Sequence, residues 1–186
     1  MPQVLKIFKD AGALLEGHFL LSSGLHSRQY LQCARVLENP QITARLCEQL
    51  ARGFKKDKIS AVIGPAMGGI ILAYELARAL GARALFAERE SGKMRLRRGF
   101  SLSPKDNVLI CEDVITTGGS VSEVIEAVKA TGAEIRAVCS LADRSRDKID
   151  FGVRLVSLIK LEFETYRSDE CPLCKQKIAL TKPGSR

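Results

Sequence analysis

No apolar run in this chain approaches a membrane span. The longest, such as Ile70 to Tyr74, fall far short of the roughly 20 residues that crossing a bilayer needs. The opening residues, Met1-Pro2-Gln3-Val4-Leu5-Lys6, show neither a long apolar segment nor a small-residue cleavage site, so no secretory signal is expected and the default location is cytoplasmic. Gly 15 and Pro 6 fall without period, which excludes collagen-like and low-complexity readings. No internal repeat and no Ser/Gly-rich linker divides the chain. Two nucleotide motifs are also missing. There is no GxxxxGK[ST], hence no P-loop, and no GxGxxG after a strand, hence no dinucleotide fingerprint. Histidine occurs twice, at His18 and His26, and neither has metal-ligand spacing.

What is present suits one domain of ordinary size. A chain of 186 residues, 46% hydrophobic and 27% charged, buries enough surface to fold without disulfides or a structural metal. Six cysteines are read first as thiols. Cys33, Cys47, Cys111 and Cys139 stand singly among apolar neighbours, as small buried hydrophobes do. Cys171 and Cys174 make a lone CxxC. A structural zinc needs four ligands, and no second cysteine pair is at plausible spacing. A four-thiolate site across a dimer, a redox disulfide and free thiols remain open readings. The net charge of +8 favours phosphate-bearing ligands or nucleic acid over cationic ones.

The apolar rhythm divides the chain near residue 58. Residues 4–13 repeat at helical spacing up to Gly12, 14–38 read as short strands and turns, and Ile42, Leu46, Leu50 and Phe54 mark a helix over about 40–55. From 59 onward, β-branched runs alternate with helical segments. These are 59–63, helix 68–80, 82–87, 108–111, helix 119–130, 135–141 and 153–159. Strands that are apolar throughout, alternating with helices, predict an α/β fold with a parallel sheet covered on both faces. The expected organisation is an N-terminal lobe over 1–58, an α/β core over 59–160 and an extension over 161–186 that carries the CxxC.

The sharpest feature is Val108-Leu109-Ile110-Cys111-Glu112-Asp113-Val114-Ile115-Thr116-Thr117-Gly118-Gly119-Ser120. An apolar strand delivers two adjacent acids, and a loop of hydroxyls and glycines then opens a helix. A helix N-terminus offers unpaired N–H groups and partial positive charge to a phosphate. Glycine lets the backbone approach an anion, and hydroxyls add donors. Paired carboxylates accept from sugar hydroxyls or hold the water shell of Mg²⁺.

The segment Glu112 to Ser120 resembles the phosphoribosyl-pyrophosphate (PRPP) signature of type I phosphoribosyltransferases. Gly17-His18-Phe19, Leu21-Ser22-Ser23-Gly24-Leu25-His26-Ser27 and Tyr30, Gly64 to Gly69, and Asp143-Arg144 narrow the resemblance to the orotate phosphoribosyltransferase family, over residues 8–160. The resemblance implies the type I phosphoribosyltransferase fold with a base-binding N-terminal hood. It implies transfer of a phosphoribosyl group from PRPP to orotate with Mg²⁺, in a homodimer whose basic loop reaches the neighbouring subunit's site. Lys93, Arg95 and Asp113 would be catalytic. Arg89, Lys93 and the run Glu112, Asp113, Val114, Ile115, Thr116, Thr117, Gly118, Gly119 and Ser120 would bind PRPP. Thr116 and Arg144 would contact orotate, and Mg²⁺ would be held mainly through PRPP and water near Glu112 and Asp113. His26 would contact orotate or finish a turn.

The basic stretch Glu88 to Gly99 carries five cations and no helical stripe, and reads as a flexible loop. It departs from the family pattern. Glu90 follows Arg89 in place of an Arg-Lys pair, Lys93 takes the second Lys position, and Arg95 stands where relatives have His. Ser22 and Gly68 occupy positions often held by Lys, which leaves Arg97 or Arg98 as substitutes. Two other functions are compatible with this fold. One is a PRPP-sensing nucleic-acid-binding regulator, disfavoured because the single basic cluster has few interleaved aromatics. The other is a purine phosphoribosyltransferase, disfavoured by the long N-terminal lobe. Taken alone, Arg144 would be a surface ion pair with Asp143 or Asp147.

Overall fold

The structure, a computed structural model, describes residues 2–21 and 23–183; Ser22 and the end of the tail, Gly184 to Arg186, lie outside the described residues. Six strands form the main sheet: β3 (Ala61–Pro65), β4 (Arg83–Glu90), β5 (Lys93–Leu96), β6 (Asn107–Ile115), β7 (Glu134–Asp143) and β8 (Leu155–Lys160). Their order is β5-β4-β3-β6-β7-β8, parallel except for β5 against β4. A second, three-stranded sheet joins β1 (Leu14–Leu20), β2 (His26–Leu31) and β9 (Thr165–Tyr166) in the order β1-β2-β9. The helices are α1 (Pro2–Asp10), α2 (Ala34–Leu37), α3 (Pro40–Ala51), α4 (Gly68–Leu80), α5 (Gly119–Lys129) and α6 (Pro172–Lys175). None of the described helices is long and apolar enough to cross a membrane.

Alternation along β6 explains why its run is apolar on every residue. Leu109 and Cys111 face a core shared with Phe8 of α1, Leu46 and Leu50 of α3, and Leu72 and Leu76 of α4. Val108 and Ile110 face the opposite core, built on Val121, Val124 and Val128 of α5 with Met94 and Phe151. A strand covered on both sides has no position for a polar side chain until it leaves the core. The first of these cores crosses residue 58, so α1 and α3 are part of a layer over the main sheet rather than of a body with its own interior. Asn39 starts α3 by accepting from the N–H groups of Gln41 and Ile42, ahead of Pro40 in the first turn.

Two sequence expectations change. The stretch 88–98 is not an irregular loop: it is a β-hairpin, with Glu90 paired to Lys93 and Ala87 to Leu96. Its turn, Ser91-Gly92, has φ of 49° and 80°, the left-handed pair a two-residue hairpin turn requires, and Met94 supplies the buried side chain on β5. Five cations masked that period-two pattern. In addition, β6 does not end before the acids. It continues to Ile115 because β7 remains paired alongside it as far as Asp143, so Glu112 and Asp113 lie within the strand.

Asp106 locks the edge of the sheet away from the strands' C-terminal ends. Burial alone would raise its pKa. The Ser103 N–H (2.8 Å), the Ser60 hydroxyl (2.8 Å), Arg83 (2.7 Å) and the Ser103 hydroxyl (3.0 Å) outweigh burial and hold it down to about 2, against an ordinary 3.8. A carboxylate with a depressed folded pKa contributes stability above its unfolded pKa and loses it as pH falls toward the folded one. Asp106→Asn is therefore expected to lower the thermal midpoint by about 5 °C at neutral pH. The gap from wild type should close as pH falls from 3.8 to about 2. Thermal denaturation across that range checks it, and a gap independent of pH would refute the assignment.

Candidate active site

Strand order reverses between β3 and β6: the chain moves from β3 outward to β4, and from β6 outward through β7 to β8. Open α/β sheets bind ligands at such a switch point, beyond the C-terminal ends of the strands. A cleft of about 1260 Å³ opens there. Its floor comes from the end of β6 and the loop into α5, with Asp113, Val114, Thr116, Thr117 and Ser120. One wall follows β7, with Arg144, Ser145, Arg146, Asp147 and Ile149. The opposite wall is the β1–β2 hairpin, with Leu20, Leu21, Ser23, Leu25 and Tyr30 to Cys33. Glu162, Phe163, Thr165, Lys182 and Pro183 close it from the C-terminal segment, and Arg89 reaches it from β4.

The two acids face different hollows, as successive strand residues must. Asp113 lines the large cleft, whereas Glu112 lines a cup of about 50 Å³ enclosed by residues 114–121. Burial raises both carboxyl pKa values, and the neighbouring Asp113 charge pushes Glu112 up further. This pair gains from any donor or cation placed against it. Gly68, at the start of α4, approaches Asp113 so closely that a Cβ there would stand 3.0 Å from its Oδ1. The position leaves the carboxylate open to the cleft and contributes no cation.

The loop before α5 is built for an anion. Its N-cap, Gly118, has φ 77° and offers no side-chain cap, so the first-turn N–H groups are left to a ligand. A side chain at 118 would also meet Phe151 at 2.9 Å, so the left-handed backbone and the packing both demand glycine.

Arg144 is set by β7 and Ile115, whose carbonyl accepts its N–H at 2.7 Å. Its guanidinium lies over the Phe163 ring at 4.3 Å, and its buried Nε has no hydrogen-bond partner among the described residues. Burial lowers its pKa, while the nearby Tyr30 and Cys33 oppose that shift. The ion-pair alternative is not realised. Asp143 is held by Ser145 (2.6 Å) and Lys160 (3.0 Å), and no carboxylate lies within ion-pair range of Arg144 among the described residues.

The cleft thus gathers Asp113, Val114, Thr116, Thr117, Ser120, Arg144 and Arg89. Glu112, Ile115, Gly118 and Gly119 line the cup beside it. Lys93 and Arg95 lie on β5, outside both linings. Arg95 and Arg97 pair with Glu90 (3.5 and 3.2 Å), and Arg98 binds Glu88 through two contacts of 2.9 and 2.8 Å. Arg89 is held by Glu123 at 2.7 Å. His26 does not line the cleft; it is buried against His18. Phe163 and the 145–149 loop were missed by sequence reasoning. Phe163 follows the last apolar run as an isolated aromatic with no periodic signal, and residues 145–149 carry no motif that singles them out.

Residues 33–166 match the family described as phosphoribosyl transferase domain. Over 184 residues the chain is 55% identical to an orotate phosphoribosyltransferase of Desulforamulus reducens, covering 99% of this chain and 96% of that one. The crystal structure of orotate phosphoribosyltransferase from Aeropyrum pernix superposes with a TM-score of 0.74 at 30% identity, covering 85% of this chain and 93% of the other. An adenine phosphoribosyltransferase from Thermoanaerobacter pseudethanolicus shares the fold at TM-score 0.62 and 19% identity, covering 72% and 88%.

Proposed function

The chain belongs to the phosphoribosyltransferase family and within it to the orotate phosphoribosyltransferases, and from that premise we propose how its residues share the work. The enzyme transfers the 5-phosphoribosyl group of PRPP to orotate, giving orotidine 5′-monophosphate and diphosphate in pyrimidine synthesis. As the C1–oxygen bond breaks, positive charge grows on the ribose and negative charge on the leaving diphosphate. Catalysis of such a step rests on placing both partners and neutralising the leaving group.

In this reading the α5 loop, Thr116 to Ser120, grips the 5′-phosphate with its uncapped N–H groups and hydroxyls. Asp113, helped by Glu112, accepts hydrogen bonds from the ribose hydroxyls and opposes the charge that develops at C1. Arg144 and Thr116 hold orotate, the guanidinium meeting its carboxylate through two donors. The observation that carries the reading is that Asp113 and Arg144 line one switch-point cleft. A buried pair of acids with raised pKa values also fits Mg²⁺ nearby, held mainly by PRPP oxygens and water. When bound, the ion offsets the charge of the departing diphosphate. Six free thiols fit a cytoplasmic setting.

Lys93 and Arg95 lie outside this chain's cleft, which supports their service to a second copy. Met67, Ile71 and Tyr74 supply a face for that copy. They fall at i, i+4 and i+7 across the start of α4 and are 82%, 50% and 68% exposed. The deciding assay is orotate consumption with PRPP and Mg²⁺, followed by absorbance. Turnover of orotate is expected, with adenine, hypoxanthine and uracil inert, and equal use of a purine would overturn the substrate assignment. Mixed assemblies of Lys93→Ala and Asp113→Asn chains are expected to regain activity that neither parent has. No recovery would remove the shared site.

A further inference from the structure

The sequence separates two histidines from a lone CxxC, and the fold brings them together. His18 lies in β1, His26 opens β2, Cys171 precedes α6 and Cys174 sits one turn later. Their ligand atoms all fall within 4.8 Å of one another. The His18 Nε2 is 2.9 Å from His26 Nδ1, 3.6 Å from Cys171 Sγ and 3.7 Å from Cys174 Sγ, and Cys174 Sγ is 3.3 Å from His26 Nδ1. A tetrahedron around zinc, with its usual bond lengths, has edges of about 3.4 Å between nitrogens and about 3.5 Å between nitrogen and sulfur. Four side chains arranged only to hydrogen-bond one another have no reason to converge on a single centre.

The surroundings agree. His18 Nδ1 lies 2.8 Å from the Ile178 carbonyl, which fixes the proton on that nitrogen and leaves the Nε2 lone pair aimed into the cluster. His18, His26 and Cys171 are 3%, 5% and 0% exposed, and the cysteines are not joined by a disulfide. The set of two thiols and two imidazoles suits zinc over harder cations. We propose that this cluster is a structural zinc site, independent of the catalytic cleft and of its substrate.

The ion has a task that the apolar core leaves undone. Beyond residue 160 the chain has little interior of its own, with Ile178 and Leu180 exposed. It holds to the β1–β2 hairpin at both edges. β9 pairs with β2, and Thr181 exchanges hydrogen bonds of 2.8 Å with His18 and Leu20 of β1. A metal between hairpin and knuckle ties those edges from inside. Binding releases the two thiol protons, and no redox change occurs. The spacing of the two histidines in sequence gave no sign of this cluster. A separation of eight residues looked wrong for a pair because the other ligands come from 145 and more residues away.

The test is metal content by inductively coupled plasma mass spectrometry, on chain made without a polyhistidine tag, reduced, reconstituted with equimolar zinc and dialysed. About one zinc per chain is expected in wild type, and at least ~10-fold less in Cys171→Ser/Cys174→Ser. Should the variant not fold, Co²⁺ in the wild-type chain is the readout, with a thiolate charge-transfer band and the intense visible bands of tetrahedral coordination expected. Wild type that retains less than about one-tenth of an ion, equal zinc in the variant, or octahedral cobalt spectra would overturn the site.

Discussion

Asp113→Asn is expected to lower kcat/KM at least ~10²-fold, about 2.7 kcal/mol of transition-state stabilisation. The change is isosteric and keeps one oxygen to accept from the ribose hydroxyls proposed to bind there, but it removes the negative charge proposed to oppose the one at C1. Because that charge is buried and its pKa is already raised by burial, its loss relieves the folded state. The same variant is therefore expected to melt no lower than wild type. Opposite effects on rate and stability are the mark of a group kept for chemistry. Steady-state kinetics and a thermal melt on one preparation settle both. Wild-type turnover would remove Asp113 from the reaction, and a large fall in melting temperature would recast it as structural.

Arg144→Ala should cost a comparable factor, at least ~10² in kcat/KM for orotate, with the KM for PRPP little changed. The guanidinium is already desolvated over Phe163 and its Nε lacks a partner among the described residues, so little reorganisation stands between it and a carboxylate. Arg144→Lys should recover only part of the loss, because an ammonium neither stacks on the ring as a plane nor offers a two-pronged donor. Unchanged orotate kinetics in the alanine variant would place the base elsewhere in the cleft.

The central strands and the helices between them were legible in the sequence because each lies under a local rule. Thus 68–80 reads as a helix from its apolar stripe and ends at Gly81, which takes the left-handed C-cap. The 112–120 run was legible for the same reason: strand, acids, glycines and helix are contiguous. The β4–β5 hairpin was not. Arg89, Lys93, Arg95 and Arg97 hid an alternation visible only in Met94 and Leu96, although Ser91-Gly92 was a turn signal. The partner of Arg144 was beyond sequence reasoning, since Phe163, whose ring it covers, comes 19 residues later in the chain, past the end of β8. The meeting of His18 and His26 with Cys171 and Cys174 depends on strand pairing at opposite ends of the chain, which no spacing rule encodes.

The reversal of strand order between β3 and β6 has an evolutionary consequence. The acids and the α5 loop, which the proposed reading gives to the ribose and its 5′-phosphate, hang from the end of the central strand β6, whereas the side opposite is assembled from the β1–β2 hairpin and the C-terminal segment. The latter can be exchanged without disturbing the former. A lineage can then keep one way of handling the activated sugar and refit the cover for another nucleobase, as a shared sheet in enzymes named for orotate and for adenine would require.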